Sequence, residues 1–200
     1  MLRLYDYLPS GNGYKVRLLL TQLGIPFERV ELDIYQGATR TPEFLAKNPN
    51  GRIPTLELEN GVFLPESNAI MFYFADGTAF FPTDRLERAQ VLQWLFFEQY
   101  SHEPNIATVR AWMHVHMTPE REAQIPGKRT LGYAALDVME RHLTGRRFFV
   151  GERYSIADIA LYAYTHVADE GGFDLTPYPV IRGWLDRVRS QPKYIPITWS

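Results

Sequence analysis

The feature that most constrains the fold is a short β-hairpin that leads directly into a helix. The apolar run Thr55–Leu58 and the returning run Val62–Leu64 flank Asn60-Gly61. This dipeptide supplies the two positive φ angles that a tight hairpin turn requires. The chain before the first strand and the chain after the second therefore meet at one end of the hairpin.

Two kinds of binding group are predicted at that end. Before the hairpin lies Ile53, whose backbone is fixed by the following Pro54, and after it Glu66-Ser67 begins a helix. The free N–H groups of a helix start favour an anion. A strand end beside a helix start can hold a small extended peptide that carries a carboxylate at one end. We therefore expect the ligand site here.

The order of elements predicts a small α/β domain in residues 1–77. Leu2–Tyr7 is typical of a strand, and Gly13–Leu23 has the apolar spacing of a helix. Phe27–Ile34 alternates like a second strand, parallel to the first because a helix connects them. With a short helix after Thr41 and the hairpin-helix unit, the order is β-α-β-α-β-β-α. This order predicts a mixed sheet of four strands with helices on both faces.

The remainder is predicted to be an all-helical domain. Residues 78–84 contain Pro82 and are interpreted as a linker, and the helical domain covers residues 85–200. Within it, Ser155 and Asp158 form a capping box at the start of a helix that is apolar nearly all round. We expect this helix to be the central, buried one.

Composition excludes several classes of function. The formal net charge of −2 gives no electrostatic support for a nucleic-acid partner. Cysteine is absent, which excludes a protein thiol as nucleophile or metal ligand and fits a cytoplasmic protein without disulfides. No apolar run reaches the length of a membrane span, and the N-terminus lacks a signal-peptide apolar region, so no membrane association is expected. The five histidines show no metal-ligand spacing beyond His114-x-His116, which would point apart on a helix, so no metal is expected.

The loop Ser10-Gly11-Asn12-Gly13 lies between a predicted strand end and a predicted helix start. The glycines of this loop can be purely structural, because a tight connection between a strand and a helix needs them. A dinucleotide-binding fingerprint is a second interpretation, but its third glycine would fall at Val16 and repeated β-α units do not follow. A phosphate-binding P-loop fails because no Gly-Lys-Ser/Thr follows. A serine hydrolase is weakly supported, because no His/Asp pair lies near Ser10 in the sequence.

A further hypothesis for this loop is a site that stabilises a thiolate. A free thiol has a pKa of about 8.5, and lowering it by about two units takes roughly 2.7 kcal/mol in favour of the anion. The Ser10 hydroxyl, the Asn12 amide and the N–H groups at the helix start can together supply that much. Tyr5 and Tyr7, on one face of the first strand, compete for the same donor role.

These features together resemble the glutathione S-transferase family. The resemblance rests on the β-α-β-α-β-β-α order, the Ile53-Pro54 step, the segment Pro65–Ile70, the helical remainder and the segment Gly151–Asp158, and it covers essentially the whole chain. It implies an α/β thioredoxin-like N-terminal domain followed by an all-α C-terminal domain. The loop Tyr5–Gly13 resembles that of the bacterial branch with serine or asparagine at the active site rather than that of the tyrosine-dependent classes. The absence of cysteine rules out a cysteine-dependent mode at this loop.

The resemblance also implies a role for each matching residue. Pro54 would be cis, which would turn the N–H and C=O of Ile53 toward the cysteinyl backbone of glutathione. Ser67 would bind the γ-glutamyl carboxylate, with Glu66 toward the ligand's amino end. The residues implied at the glycyl carboxylate are Thr39, Arg40 and Arg52. The residues implied at the sulfur are Ser10 and Asn12.

The implied activity is that of a glutathione S-transferase, a homodimer in cytoplasmic detoxification, with glutathione as co-substrate and no metal. The thiolate would attack an electrophile, a peroxide or a disulfide. Glutathione-dependent isomerisation or dehalogenation on the same site is an alternative, and so is a non-catalytic interaction module of the same fold. The presence of Arg52, Pro54, Glu66 and Ser67 favours a ligand, because a pure interaction module need not keep charged groups at a helix start and a strand end.

The electrophile is expected between the loop Leu8–Gly13 and the first helices of the helical domain. The sequence does not identify this second substrate. The candidate lining residues are Tyr100, His102, Glu103, Asn105, Ile106, Val109 and Arg110.

Overall fold

The computed structural model describes residues 1–115 and 117–199. His116, one member of the histidine spacing considered above, lies outside the described residues. The chain forms two compact units, of which the first contains Met1–Thr78 together with the residues from Pro192 on, and the second contains Ala79–Gln191. The return of the chain end to the first unit differs from the sequence analysis, which placed it in the helical domain.

The first unit contains a four-stranded sheet in the order β2-β1-β3-β4. The strands are β1 (Leu2–Asp6), β2 (Phe27–Glu31), β3 (Thr55–Glu57) and β4 (Phe63–Pro65). β1 and β2 are parallel, whereas β3 is antiparallel to both β1 and β4. The predicted mixed sheet of an α/β thioredoxin-like domain is confirmed.

Three α-helices accompany the sheet: α1 (Gly11–Leu23), α2 (Pro42–Lys47) and α3 (Ser67–Ala75). Short 3-10 turns at Ile34–Gln36 and Ala38–Arg40 fill the connection between β2 and α2. One face of the sheet packs against α1 and α3, because alternate residues of the strands and residues four apart on α1 place apolar side chains on the facing surfaces. The buried core of this face consists of Leu2, Leu4, Val16, Leu20, Leu56 and Ile70.

The hairpin turn differs from the prediction. Its loop runs over residues 58–62, closed by a hydrogen bond from the Leu58 N–H to the Val62 carbonyl at 2.8 Å. Gly61 has a φ of 79°, but Asn60 is not among the described residues with positive φ. The Asn60 side chain instead accepts from the Val62 N–H at 3.2 Å, an Asx turn that holds the loop without a second left-handed residue.

The second unit is all-helical. Its helices are α4 (Arg85–Phe97), α5 (Glu103–Met113), α6 (Pro119–Leu143), α7 (Ile156–Thr165) and α8 (Pro179–Arg189), with a π-helical turn at Glu98–His102 and a 3-10 turn at Ala168–Gly171. α6 continues through Pro126. None of the helices in the described ranges is long and apolar enough to cross a membrane.

Helix α7 lies at the centre of the second unit, as the sequence predicted. All ten of its residues are buried. The capping box is present, with the Ser155 hydroxyl accepting from the Ala157 N–H and the Asp158 carboxylate accepting from the Ser155 N–H. The predicted linker contributes to the same unit, because the Phe80 carbonyl accepts from the Ile156 N–H at 3.0 Å.

Candidate functional site

The register of the sheet brings the predicted site segments to one end of the first unit. Thr55, the first residue of β3, lies opposite Tyr5 of β1 and opposite Pro65 of β4. In an antiparallel ladder the residues that flank a pair are also neighbours. Pro54 and Glu66, which flank the pair of Thr55 and Pro65, are therefore adjacent across the ladder.

The segment that precedes β3 presents an open piece of backbone. The Ile53–Pro54 peptide bond is cis, which confirms the prediction. Ile53 is half-buried, and neither its N–H nor its C=O has a hydrogen-bond partner among residues 1–115 and 117–199. A peptide that lies alongside can therefore pair with both groups by strand addition.

Asn48 fixes this segment and was not among the predicted site residues. The Asn48 amide donates to the Arg52 carbonyl at 2.8 Å and to the Thr55 hydroxyl at 3.1 Å. Its side-chain oxygen accepts from the Asn50 N–H at 3.0 Å, and the residue is 3% exposed. The Asn48-Pro49 dipeptide is a turn signal that could have drawn attention to it.

Thr39 and Arg40 lie against the same loop. Thr39 is buried, whereas Arg40 and Arg52 are exposed. The Arg40 guanidinium donates to the Asn50 carbonyl at 3.2 Å, and a Cβ on Gly51 would lie 2.9 Å from the Thr39 carbonyl oxygen. The structure thus brings the 3-10 turn of Arg40 close to the chain just before Arg52. The guanidinium groups of Arg40 and Arg52 therefore belong to two neighbouring loops.

The start of α3 is the second part of the site. Glu66 has a φ of 71° and a ψ of 109°, a region that residues with a Cβ rarely adopt, and its side chain does not cap the helix. Such backbone outliers cluster at functional sites. Ser67 is 5% exposed, and its hydroxyl donates to the Asn12 side-chain oxygen at 3.2 Å. This hydrogen bond joins the first turn of α3 to the first turn of α1.

Ser10 is the N-cap of α1. Its hydroxyl oxygen accepts from the Gly13 N–H at 3.3 Å, so the helix begins at Gly11, two residues before the predicted start. No acceptor for the Ser10 hydroxyl hydrogen is found among the described residues. The hydroxyl can therefore cap the helix and donate to an anion at the same time.

The two tyrosines proposed as competitors have other surroundings. The Tyr5 hydroxyl donates to the Glu57 carboxylate at 2.9 Å, and burial, together with that carboxylate, raises the pKa of the phenol. The Tyr7 ring packs edge-on against Tyr35 with 5.6 Å between the ring centroids. Because the Tyr5 hydroxyl already donates to Glu57 on the sheet, Ser10 and Asn12 are favoured over Tyr5 as donors to a bound anion.

The candidate lining residues of the helical unit differ in exposure. His102, Ile106 and Val109 are fully buried, and the Nε2 of His102 lies 2.9 Å from the Thr165 hydroxyl. That hydroxyl donates to the Leu161 carbonyl, so the histidine is part of the packing around α7. Tyr100, in contrast, is 86% exposed. No group of three or more His, Asp or Glu residues suited to a metal ion is present in the described part of the chain.

A mixed four-stranded sheet with a cis-proline before β3 and a helix start beside it, followed by an all-helical unit, defines the class of thioredoxin-like proteins with an all-α C-terminal domain. Residues 1–76 match the family description "Glutathione S-transferase, N-terminal domain", and residues 122–187 match "Glutathione S-transferase, C-terminal domain". The chain belongs to the glutathione S-transferase family.

Three similar proteins illustrate the relationship. The crystal structure of glutathione S-transferase from Pseudomonas fluorescens is 54% identical, with a TM-score of 0.95 over 98% of both chains. The disulfide-bond oxidoreductase YfcG of Escherichia coli is 30% identical over 96% of this chain and 92% of its own length. The glutathione transferase URE2P6 from Phanerochaete chrysosporium, crystallised with oxidised glutathione, is 28% identical, with a TM-score of 0.84 over 96% of this chain and 92% of that one.

Proposed function

We propose that the protein is a glutathione-dependent transferase that binds glutathione on the first unit and ionises its thiol. The observation that carries the proposal is the hydrogen bond between Ser67 and Asn12. It joins the starts of α1 and α3, two helices of 13 and 9 residues whose positive dipole ends both favour an anion. A tripeptide thiol offers two anions, a carboxylate and a thiolate, that suit such a pair.

Glutathione would lie along the end of the sheet. The open N–H and C=O of Ile53 would pair with its cysteinyl backbone, as an added strand does. Ser67 and the α3 backbone would bind the γ-glutamyl carboxylate, with Glu66 toward the ammonium group. Arg40 and Arg52 would attract the glycyl carboxylate, because both are exposed cations next to the Ile53 segment. Thr39 would support that end from its buried position.

The sulfur would lie next to Ser10 and Asn12. A hydrogen bond to an ionised group contributes about 1.5–3 kcal/mol, so the Ser10 hydroxyl and one further donor suffice for the roughly 2.7 kcal/mol that a two-unit fall in thiol pKa requires. The protein has no cysteine, so the nucleophile is the thiolate of glutathione itself. The protein's part is to hold that thiolate and direct it.

The thiolate would attack an electrophilic carbon, and the similarity to the Pseudomonas fluorescens glutathione S-transferase supports this reaction. A second candidate is attack on a disulfide, in which glutathione forms a mixed disulfide and releases a thiolate. The similarity to a disulfide-bond oxidoreductase favours it. Both reactions use the same ionised sulfur, so rates with an activated chloroarene and with a small-molecule disulfide decide between them.

The protein would work as a homodimer. Each unit exposes large apolar side chains, among them Tyr73 at 56% in the first unit and Phe96 at 68% in the second. A homodimer would cover such side chains where they form a contiguous patch. Sedimentation equilibrium should give twice the mass of the 23.2 kDa chain, and a mass of one chain at micromolar concentration would contradict the proposal.

Retention on immobilised glutathione tests binding, and the ultraviolet absorbance of the thiolate of bound glutathione against pH tests activation. Ser10→Ala and Asn12→Ala should each raise the pKa of the bound thiol by about one unit, which reduces the thiolate fraction, and with it turnover, about threefold at pH 7. Ser190→Ala, an exposed serine of the second unit, is the matched control. No retention of the parent protein would favour a non-catalytic module. An unchanged thiol pKa in both variants would move the sulfur contact to Tyr7.

A further inference from the structure

Arg17 is a fully buried arginine in the middle of α1 that the mechanism above does not use. Its side chain is 0% exposed. One terminal nitrogen donates to the Leu8 carbonyl at 2.7 Å, and the other donates to the Ile197 and Trp199 carbonyls at 3.0 and 2.7 Å. Its Nε lies 2.9 Å from the Asp6 carboxylate. The planar guanidinium thus joins three separate segments of the chain.

One of those segments is the loop that leads to Ser10. The Leu8 carbonyl that Arg17 binds lies two residues before the N-cap serine, and the Leu8 N–H donates to the Glu31 carboxylate at 3.1 Å. The Ser10 N–H then donates to the Tyr7 carbonyl at 2.8 Å. The direction in which the Ser10 hydroxyl points therefore depends on where the guanidinium holds the Leu8 carbonyl.

Asp6 ties the same guanidinium to the helix start. The Asp6 side chain is fully buried and occupies the space that a side chain on Gly13 would fill, because a Cβ there would lie 1.6 Å from the Asp6 Oδ1. Gly13 is also the residue whose N–H donates to the Ser10 hydroxyl. Arg17 therefore fixes the Ser10 loop from one side and, through Asp6, the first turn of α1 from the other.

The third segment is the end of the chain. Besides the two carbonyls on Arg17, the Ile195 carbonyl accepts from the Tyr14 hydroxyl at 2.7 Å, and Tyr14 is 0% exposed. Tyr14 and Arg17 are three residues apart and so lie on one face of α1. The segment after Pro192 is thus held on α1 through backbone carbonyls, a mode of attachment that its side-chain sequence does not reveal.

We propose that Arg17 is a positioning residue for the thiol-binding loop, and that the C-terminal segment completes its set of acceptors and so keeps the Ser10 hydroxyl aimed at the sulfur. The proposal rests on the proposed function, since it assigns Ser10 to the sulfur. Arg17 does not touch the substrate, and it acts through the Leu8 carbonyl and through Asp6. Lysine cannot replace it, because an ammonium group lacks the planar fork that reaches four acceptors at once.

The test compares Arg17→Lys and a deletion of residues 197–200 with Arg3→Lys, a matched control on an exposed arginine of the same unit. The readouts are the pKa of the bound glutathione thiol, kcat and KM, and the affinity for S-hexylglutathione, which has no thiol. The kinetic constants and the affinity are measured well above pH 6, because burial raises the pKa of Asp6 to about 6 despite the neighbouring guanidinium, and the thiol titration is compared with the same titration of Arg3→Lys.

At pH 7 we expect Arg17→Lys to raise the thiol pKa by about one unit and lower kcat about threefold, with the affinity for S-hexylglutathione changed less than about twofold. The deletion leaves the ion pair with Asp6 in place and should shift the thiol pKa in the same direction by a smaller amount. Arg3→Lys should change none of these. A mere stability role predicts an unshifted thiol pKa in the folded fraction, and that result would overturn the proposal.

The experiment also distinguishes failure of this proposal from failure of the proposed function. If neither variant folds, Arg17 is a stability element and the proposal is wrong. If the parent does not ionise bound glutathione, the proposed function fails instead, and amide hydrogen exchange of residues 8–13 without ligand still reports on the loop. Faster exchange in Arg17→Lys than in Arg3→Lys supports the control of the loop by Arg17, and equal exchange contradicts it.

Discussion

Gly13 shows how tightly the start of α1 is built. A Cβ at this position would lie 1.6 Å from the Asp6 Oδ1, and Asp6 cannot move away without leaving the buried positive charge of Arg17 without its carboxylate. We predict that Gly13→Ala lowers the free energy of unfolding by about 3 kcal/mol or more, because it overpacks a buried ion pair. Urea unfolding followed by circular dichroism measures the change.

The matched control for that prediction is Gly127→Ala. Gly127 lies within α6, is exposed, and has no atom within 4 Å of the position of an added Cβ. Alanine is favoured over glycine in a helix by about 1 kcal/mol, so this variant should be neutral or more stable than the parent. A Gly13→Ala protein as stable as Gly127→Ala would mean that the helix start is loosely packed.

His166 makes the stability of the second unit depend on pH. Burial lowers its pKa from 6.5 to about 4, while the Tyr162 carbonyl accepts from its Nδ1 at 2.8 Å. The unfolded chain binds a proton first, so this contribution to stability is complete above about pH 6.5 and is lost as the pH falls to about 4. A depression of this size corresponds to about 3 kcal/mol.

The measurement is the free energy of unfolding between neutral pH and pH 4.5 in the parent and in His166→Phe. The phenyl ring keeps the stacking on Tyr162, which is at a centroid distance of 4.4 Å, but cannot be protonated. The advantage of the parent over the variant should shrink as the pH falls. A difference that stays constant across the range would show that His166 is not held neutral by burial.

At the scale of elements, α7 depends on a single carboxylate. Asp158 accepts from the Ser155 N–H and hydroxyl at 2.9 and 3.2 Å, from the Phe149 N–H at 3.2 Å and from the Trp184 indole N–H at 3.0 Å. It therefore caps the helix and also fixes two segments that pack around it. Asp158→Ala leaves several buried donors unpaired, and we expect a loss of about 4 kcal/mol in the free energy of unfolding.

Ser155→Ala is the comparison for Asp158→Ala. It removes the hydroxyl that accepts from the Ala157 N–H at 3.3 Å, an N-cap interaction worth about 1 kcal/mol. Chemical denaturation should thus rank the two variants with Asp158→Ala far less stable. Equal losses would mean that the carboxylate serves only the capping box and not the segments at Phe149 and Trp184.

Local patterns predicted the elements because their causes are local. The capping box at Ser155 is present, since it depends on residues within one turn of the helix start. The hairpin turn was the exception. Whether Asn60 takes a positive φ or forms an Asx turn depends on loop length, and the dipeptide alone does not determine that length.

The site was predictable to the extent that it is built from strand ends and helix starts. Pro54 is cis and Ser67 opens α3, as the family resemblance implied. The hydrogen bond between Ser67 and Asn12 and the supporting role of Asn48 join residues that are far apart in the sequence or lack a recognisable pattern. The burial of Arg17 could not be predicted from the helix pattern, because two of its acceptors are carbonyls of Ile197 and Trp199, far away in the sequence.

At the scale of the whole molecule, the second unit is an insertion in the first, because the chain leaves the first unit after Thr78 and returns to it at Pro192. All the residues proposed to bind glutathione belong to the first unit. Glutathione at about 100 times its dissociation constant should add about 2.7 kcal/mol to the free energy of unfolding of the first unit, and of any part of the chain that unfolds in the same transition. Urea unfolding with and without glutathione measures the gain.

Substitution of Ser67 tests whether the gain in stability with glutathione depends on the start of α3. Ser67→Ala removes one hydrogen bond to a carboxylate, which weakens binding about tenfold, so the gain at the same glutathione concentration should fall to about 1.4 kcal/mol. Ser190→Ala should keep the full gain. If the two units unfold together, glutathione shifts one transition that both units share; if they unfold separately, only the transition of the first unit moves. A gain that is the same in Ser67→Ala and the parent would show that the ligand does not use the α3 start, since mass action ties the gain to affinity alone.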